Sequence, residues 1–430
     1  MTTETSKNMD RRVSESTQDT EPQCSQEREG GKSAWLTVLG SFLVYYSSYG
    51  VLNSFGFFND FYQVDFLKST SPSTIAIIGT LQIALMNSLA AVSGALCDHY
   101  GVRYLYIGSG CGTVIALILL SLCKPGAFWQ VFLSQGLLMG IAIAFGVQPA
   151  LTVVGQHFSK QRALAMGIVC TASAAGGICF PIMFKSFLPM IGFRWALRVA
   201  ALKVVGCYTV AVLISTSRNS GKKISLSLAS LVDFKGFLDI KYSVLCIGAW
   251  IAQLGLFVPS FYIEPYCAVA FPGSAIKGYL LSVINAAGIL GMVIGGLSGD
   301  RLGCLNVLCP AIMMTGLLYL SIWLFTTSML SLISFTSLYG FFSGAYFALM
   351  PPVITQLSPD ESIGARMGAF YSVVAVASLI GNPIAGALIR ERSREGYQGV
   401  ILYSGTAIIL GSLVILGGRL LHGKDLRKKV

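Results

Sequence analysis

Gly94-Ala-Leu-Cys-Asp98-His-Tyr-Gly101 recurs as Gly296-Leu-Ser-Gly-Asp300-Arg-Leu-Gly303, 202 residues further on, and each copy closes a long apolar run. An acidic turn with the same glycine spacing at two equivalent places marks an internal repeat. The chain therefore reads as two halves of like design. Composition says what the halves are made of: 54% of the 430 residues are hydrophobic and 11% are charged, against about a quarter charged in soluble domains. Mean hydropathy is +0.69. Water is not the main solvent of such a sequence.

A bilayer core of about 30 Å needs about 20 apolar residues in a helix. Twelve segments are that long and, but for one, free of charge: 34–58, 73–96, 104–122, 128–150, 164–184, 195–214, 242–263, 278–298, 305–326, 330–353, 367–389 and 400–418. The pattern predicts an all-α membrane protein, twelve transmembrane helices in two six-helix bundles, 33–214 and 242–421. The segment 215–241, with Arg218, Lys222, Lys223, Lys235 and Lys241, reads as the cytoplasmic linker between them. Residues 1–32 are polar throughout and read as a disordered cytoplasmic tail rather than a signal peptide, and 422–430 as a second tail. About twenty of the thirty Lys and Arg fall in the tails and in the connections from even to odd spans. By the positive-inside bias those segments, and both termini, are cytoplasmic, with the plasma membrane as the expected location.

Several functions are disfavoured at this level. A net charge of +11 without a basic stripe and interleaved aromatics gives no nucleic-acid partner. Eleven scattered cysteines without a C-x-x-C pair give no zinc site or disulfide framework, and no metal or other cofactor is expected. His99, His157 and His422 all sit at span ends, which leaves an enzyme without a cluster of catalytic groups. No phosphate-binding loop is present to drive an ATP pump.

Polar residues inside apolar spans are costly and so carry functional weight. Arg198 and Lys203 lie in the sixth span, and Glu264 ends the seventh. In the first span Tyr46, Tyr49, Gly50, Asn53 and Phe57 recur at spacings of three and four and share a face. Gln148, Gln253, Asn285 and Tyr371 are uncharged hydrogen-bonding groups in otherwise apolar spans. Asn53, Tyr46, Tyr49, Gln148, Arg198, Gln253, Asn285 and Tyr371 are therefore the candidate substrate-binding residues. Amides, phenols and rings together suit an amphiphilic organic molecule better than a small anion.

The loop Gly94 to Arg103 resembles the G-x-L-x-D-R-x-G-x-R loop of the major facilitator superfamily, with His99 in place of the first arginine. The resemblance implies a conformational motif of Gly94, Asp98 and Arg103, in which the aspartate takes bonds from the loop arginine and from the start of the eleventh helix. Asp300 and Arg301 are its counterparts in the second half. Within the superfamily the chain looks like the fungal monocarboxylate-transporter-like branch, on Glu29-Gly-Gly31 before Trp35, Gln135-Gly136, Gln148-Pro149-Ala150, Arg162-Ala-Leu-Ala-Met-Gly167 and Gly381-Asn-Pro383. Many relatives carry an arginine in the eighth helix where this chain has Met292, and animal members carry a lysine in the first where it has Asn53. The resemblance thus implies a secondary transporter of a small organic molecule, with export of a fungal secondary metabolite favoured over proton-coupled uptake of a monocarboxylate or vitamin-like nutrient. A non-transporting nutrient receptor is the remote alternative. The expected partners are the small-molecule substrate, a proton as candidate coupling ion, and the lipid bilayer.

Overall fold

The structure is a computed structural model that describes residues 31–217, 234–359 and 362–421, apart from positions 71, 275, 277, 278, 390 and 392. The tails, but for residues 31 and 32, and most of the linker read from the sequence lie outside these residues, and Lys32 already belongs to the first helix. The first half comprises α1 (Lys32–Asn53, continued by Phe55–Phe61), α2 (Pro72–Ser88 with Ala90–Tyr100), α3 (Val102–Leu122) and α4 (Phe128–His157). A single run, Arg162–Ile214, then carries two spans, because Gly192 at φ 76 turns the chain through a conformation that favours glycine. These are α5 (162–191) and α6 (193–214). The second half comprises α7 (Ile240–Leu256 with Val258–Ala270), α8 (Leu280–Leu302), α9 (Cys304–Trp323), α10 (Met329–Gln356), α11 (Ile363–Ala387) and α12 (Gln398–Leu421).

Ten described helices are long and apolar enough to cross a membrane, the α2 pair bent by 42° supplies another, and the division at Gly192 brings the number to twelve. Their order matches the spans expected from hydropathy. The repeated acidic turn also has one backbone meaning in both copies: Gly101 at φ 76 ends α2 and Gly303 at φ 97 ends α8.

The first helix of each half is broken, and neighbouring hydroxyls satisfy the freed carbonyls. In α1 the Ser54 hydroxyl donates to the Gly50 carbonyl at 2.7 Å. In α7, Pro259 has no N–H to offer the Gly255 carbonyl four residues back. Tyr319 of α9 donates to that carbonyl at 2.9 Å, and Tyr339 of α10 donates to the Leu256 carbonyl beside it. Within a membrane an unsatisfied carbonyl has no water to turn to, so these two phenols hold α7 against α9 and α10. Tyr319→Phe is expected to destabilise the folded protein by about 1 kcal/mol, the usual worth of an interhelical hydrogen bond. An unchanged unfolding midpoint of the purified protein would contradict this.

Candidate functional site

An even number of spans brings Lys32 and Leu421 to the same end of the bundle, together with the ends of α2, α4 and α8 and the starts of α5 and α11. At this terminal end the two halves are clasped twice. Asp98 at the end of α2 accepts the backbone N–H groups of Gly364 and Ala365, at 2.8 and 3.2 Å, at the start of α11. Asp300 at the end of α8 accepts those of Ala163 and Leu164, at 3.0 and 2.9 Å, at the start of α5. Each carboxylate thus meets the unpaired donors and positive end of a helix from the opposite half. The backbones must come very close for this. A Cβ on Gly94 would overlap the Gly364 carbonyl, and one on Gly296 would sit 2.8 Å from the Ala163 carbonyl.

The resemblance gave Asp98 a second partner in Arg103, and here the structure differs. Arg103 is exposed, and the Gln156 amide of α4 donates to the other Asp98 oxygen at 3.2 Å. The positive-φ turn at Gly101 carries the chain away into the first turn of α3, which holds Arg103, whereas Gln156 lies in the last turn of a helix packed against α2. Arg301 is likewise exposed.

Deeper in the bundle Tyr45 and Tyr49 of α1, Cys170 of α5 and Tyr371 of α11 lie within electrostatic reach of one another, and Tyr346 of α10 within reach of Tyr371. The rings of Tyr45 and Tyr49 are 5.1 Å apart. Cys170 Sγ points at the Phe347 carbonyl, 3.9 Å away, which Pro351 deprives of its helical donor. Phe347 in turn stacks on Phe257, at the break in α7, at 5.4 Å. Helices from both halves therefore converge on a cluster of phenols, ring faces and an under-used carbonyl. Such a lining offers hydrogen bonds in both senses and much apolar surface.

The sequence candidates distribute unevenly around this cluster. Tyr49 and Tyr371 belong to it. Gln148 is 4% exposed, with its amide nitrogen unbonded. It lies two helical turns from Gly155, whose vacant side-chain position meets Met166 of α5 and Thr355 of α10, so it sits on the face of α4 turned to the seam between halves. Asn285 is partly exposed on α8. Gln253 instead ties α7 to α11 through the Ser378 hydroxyl at 3.0 Å, and Asn53 packs on α5, donating to the Ser173 carbonyl at 3.4 Å. Tyr46 turns away to the Phe180 ring at 5.5 Å. Arg198 lies over Trp195, itself 59% exposed, on the outside of α6.

Tyr45, Tyr346 and Cys170 were not singled out from the sequence, nor was Gln82 of α2, fully buried with both amide atoms unbonded. A polar side chain in an apolar span was the signal available for each.

Two six-helix halves of one design, meeting at a polar and aromatic centre and clasped at one end by carboxylates on helix starts, make up the architecture of a secondary transporter. The family model of the Major Facilitator Superfamily matches residues 35–335 and 245–428, and the chain belongs to that superfamily. It is 33% identical over 389 residues to the Fujikurins efflux protein of Gibberella fujikuroi, covering 89% of this chain and 83% of that one. To the MFS transporter asaE of Aspergillus flavus it is 33% identical over 390 residues, covering 89% and 87%. Among solved structures the human organic anion transporter MFSD10 shares the fold, with a TM-score of 0.69 at 15% identity over 89% of this chain and 98% of that one.

Proposed function

We propose that this protein exports an amphiphilic fungal secondary metabolite by alternating access, with both termini cytoplasmic and the plasma membrane as its site. The paired latch, Asp98 on α11 and Asp300 on α5, carries the reading. Carboxylates that grip the helix starts of the opposite half at the terminal end are contacts of the kind a cycling transporter must make and break. With the Lys/Arg-rich end in the cytoplasm, the arrangement corresponds to a state closed to the cytoplasm, its central cluster served from outside. Export is supported by relatives named as efflux proteins, and by Met292 standing where carboxylate transporters of the similar branch hold an arginine. A coupled proton is the driving ion in this reading.

Untargeted comparison of intracellular and extracellular metabolites, with and without the gene, tests it. One class of amphiphilic metabolite should accumulate inside cells that lack the protein. Accumulation in the opposite sense would replace export by uptake, and no difference would remove the reading. A pH-sensitive fluorophore fused after Val430 should ignore changes in external pH, and a response to them would reverse the topology.

A further inference from the structure

Lys203 lies ten residues beyond the start of α6 and eleven before its end at Ile214. At 1.5 Å per residue that is about 15 Å from either end, the middle of a bilayer core of about 30 Å. Its stem is too short to carry the ammonium to a headgroup, unlike Arg198 nearer the end. No carboxylate lies within ion-pair distance of it among the described residues. What holds the ammonium is two ring faces, Phe180 of α5 at 4.2 Å and Tyr46 of α1 at 4.8 Å. A cation kept at the bilayer midplane is expensive, and two cation–π contacts return only part of that cost. Structure alone does not account for its presence.

The surroundings are open. Lys203 is only partly buried, Leu202 beside it is 71% exposed, and Cys179 across the seam is exposed. A side chain added at Gly206, next to Cys207 one turn on, would meet nothing within 4 Å. A seam between α1, α5 and α6 thus leads from the outside of the bundle to an ammonium flanked by two rings. It lies across α1 from the central cluster, since Tyr46 and Tyr45 are consecutive and face different sides.

We propose that Lys203, Tyr46 and Phe180 form a lateral subsite that takes the ionised acid group of an amphiphilic organic anion directly from the bilayer. The ammonium supplies the opposite charge where the low dielectric makes it count most, and the rings receive the apolar body. This assigns an acidic group to the exported molecule. Its place in export rests on the function proposed above, but the existence of the subsite does not.

The test uses the full chain in phosphatidylcholine nanodiscs, with the photoreactive aromatic acid 4-benzoylbenzoate and its neutral methyl ester as probes, and crosslinks mapped by peptide mass spectrometry. The acid should label the segments around Tyr46, Cys179 and Cys207 saturably. Lys203→Met should lower that labelling about tenfold, Lys203→Arg should keep most of it, and the ester should label all three proteins alike and weakly. Gly206→Leu, which fills the open space and leaves the charge in place, should lower labelling by the acid and guards against misfolding of the lysine variant. Equal labelling by acid and ester, or labelling of Lys203→Met at the wild-type level, would overturn the subsite. Because no gradient or turnover is involved, lysine-dependent labelling without metabolite export would leave the subsite standing and remove only the export reading.

Discussion

Gly94→Val is expected to abolish transport while the protein still inserts and purifies. At this position α2 and α11 run backbone to backbone, and even the first carbon of a side chain overlaps the Gly364 carbonyl. Backbone cannot step aside as a flexible side chain can. The clash therefore falls on the clasped arrangement of the halves, and spares each half, since Gly364 belongs to the other bundle. Overpacking at a close contact costs about 1–3 kcal/mol and more where nothing can relax, enough to move a two-state population by tenfold to a hundredfold or beyond. The protein should be held with its terminal end open. A thiol reagent applied from that side should reach a cysteine introduced at Ala365, a buried position that already carries a Cβ, faster in Gly94→Val than in the parent, and solute flux should vanish. Wild-type flux in Gly94→Val would show that the clasp is not a state the cycle visits.

The repeat that announced the clasp was legible in sequence because glycine and aspartate are demanded there by backbone geometry and charge. The same turn recurs in both halves, with Gly101 and Gly303 in the left-handed region. The partner of Asp300 left no trace, since Ala163 and Leu164 contribute backbone N–H groups that any residue there would supply. Spans were legible for a similar reason: bilayer thickness imposes a length on every helix, whatever its neighbours. Facing was not. Periodicity grouped Tyr46 with Tyr49, yet the two are a turn apart on a helix packed on several sides, and one meets Phe180 while the other looks to the centre. A period fixes relative angles around one axis, and only packing fixes what lies at each angle. Lys203 could be read as a stranded charge, but its ring partners come from α1 and α5, more than twenty residues away in either case.

Asp98→Asn separates the charge of the clasp from its shape. Asparagine has the same size and can still accept from Gly364 and Ala365 through its carbonyl oxygen. Its amide can in turn face Gln156, whose own side-chain oxygen is buried and unbonded. What is lost is the interaction of the buried carboxylate's charge with the start of α11, worth up to about 2 kcal/mol. The clasped state should therefore lose about tenfold in population, and transport should fall by up to that factor, with expression and folding kept. Asp300→Asn should act on the second clasp by the same amount. The two aspartates grip different helix starts, α11 and α5, so the double variant should lose about a hundredfold, the product of the single effects. Flux in vesicles at matched expression, set beside the rate of thiol labelling at the terminal end, measures both quantities at once. Faster labelling with undiminished flux would mean that the clasp is not rate-limiting, and unchanged labelling in the double variant would mean that charge does not hold the halves together.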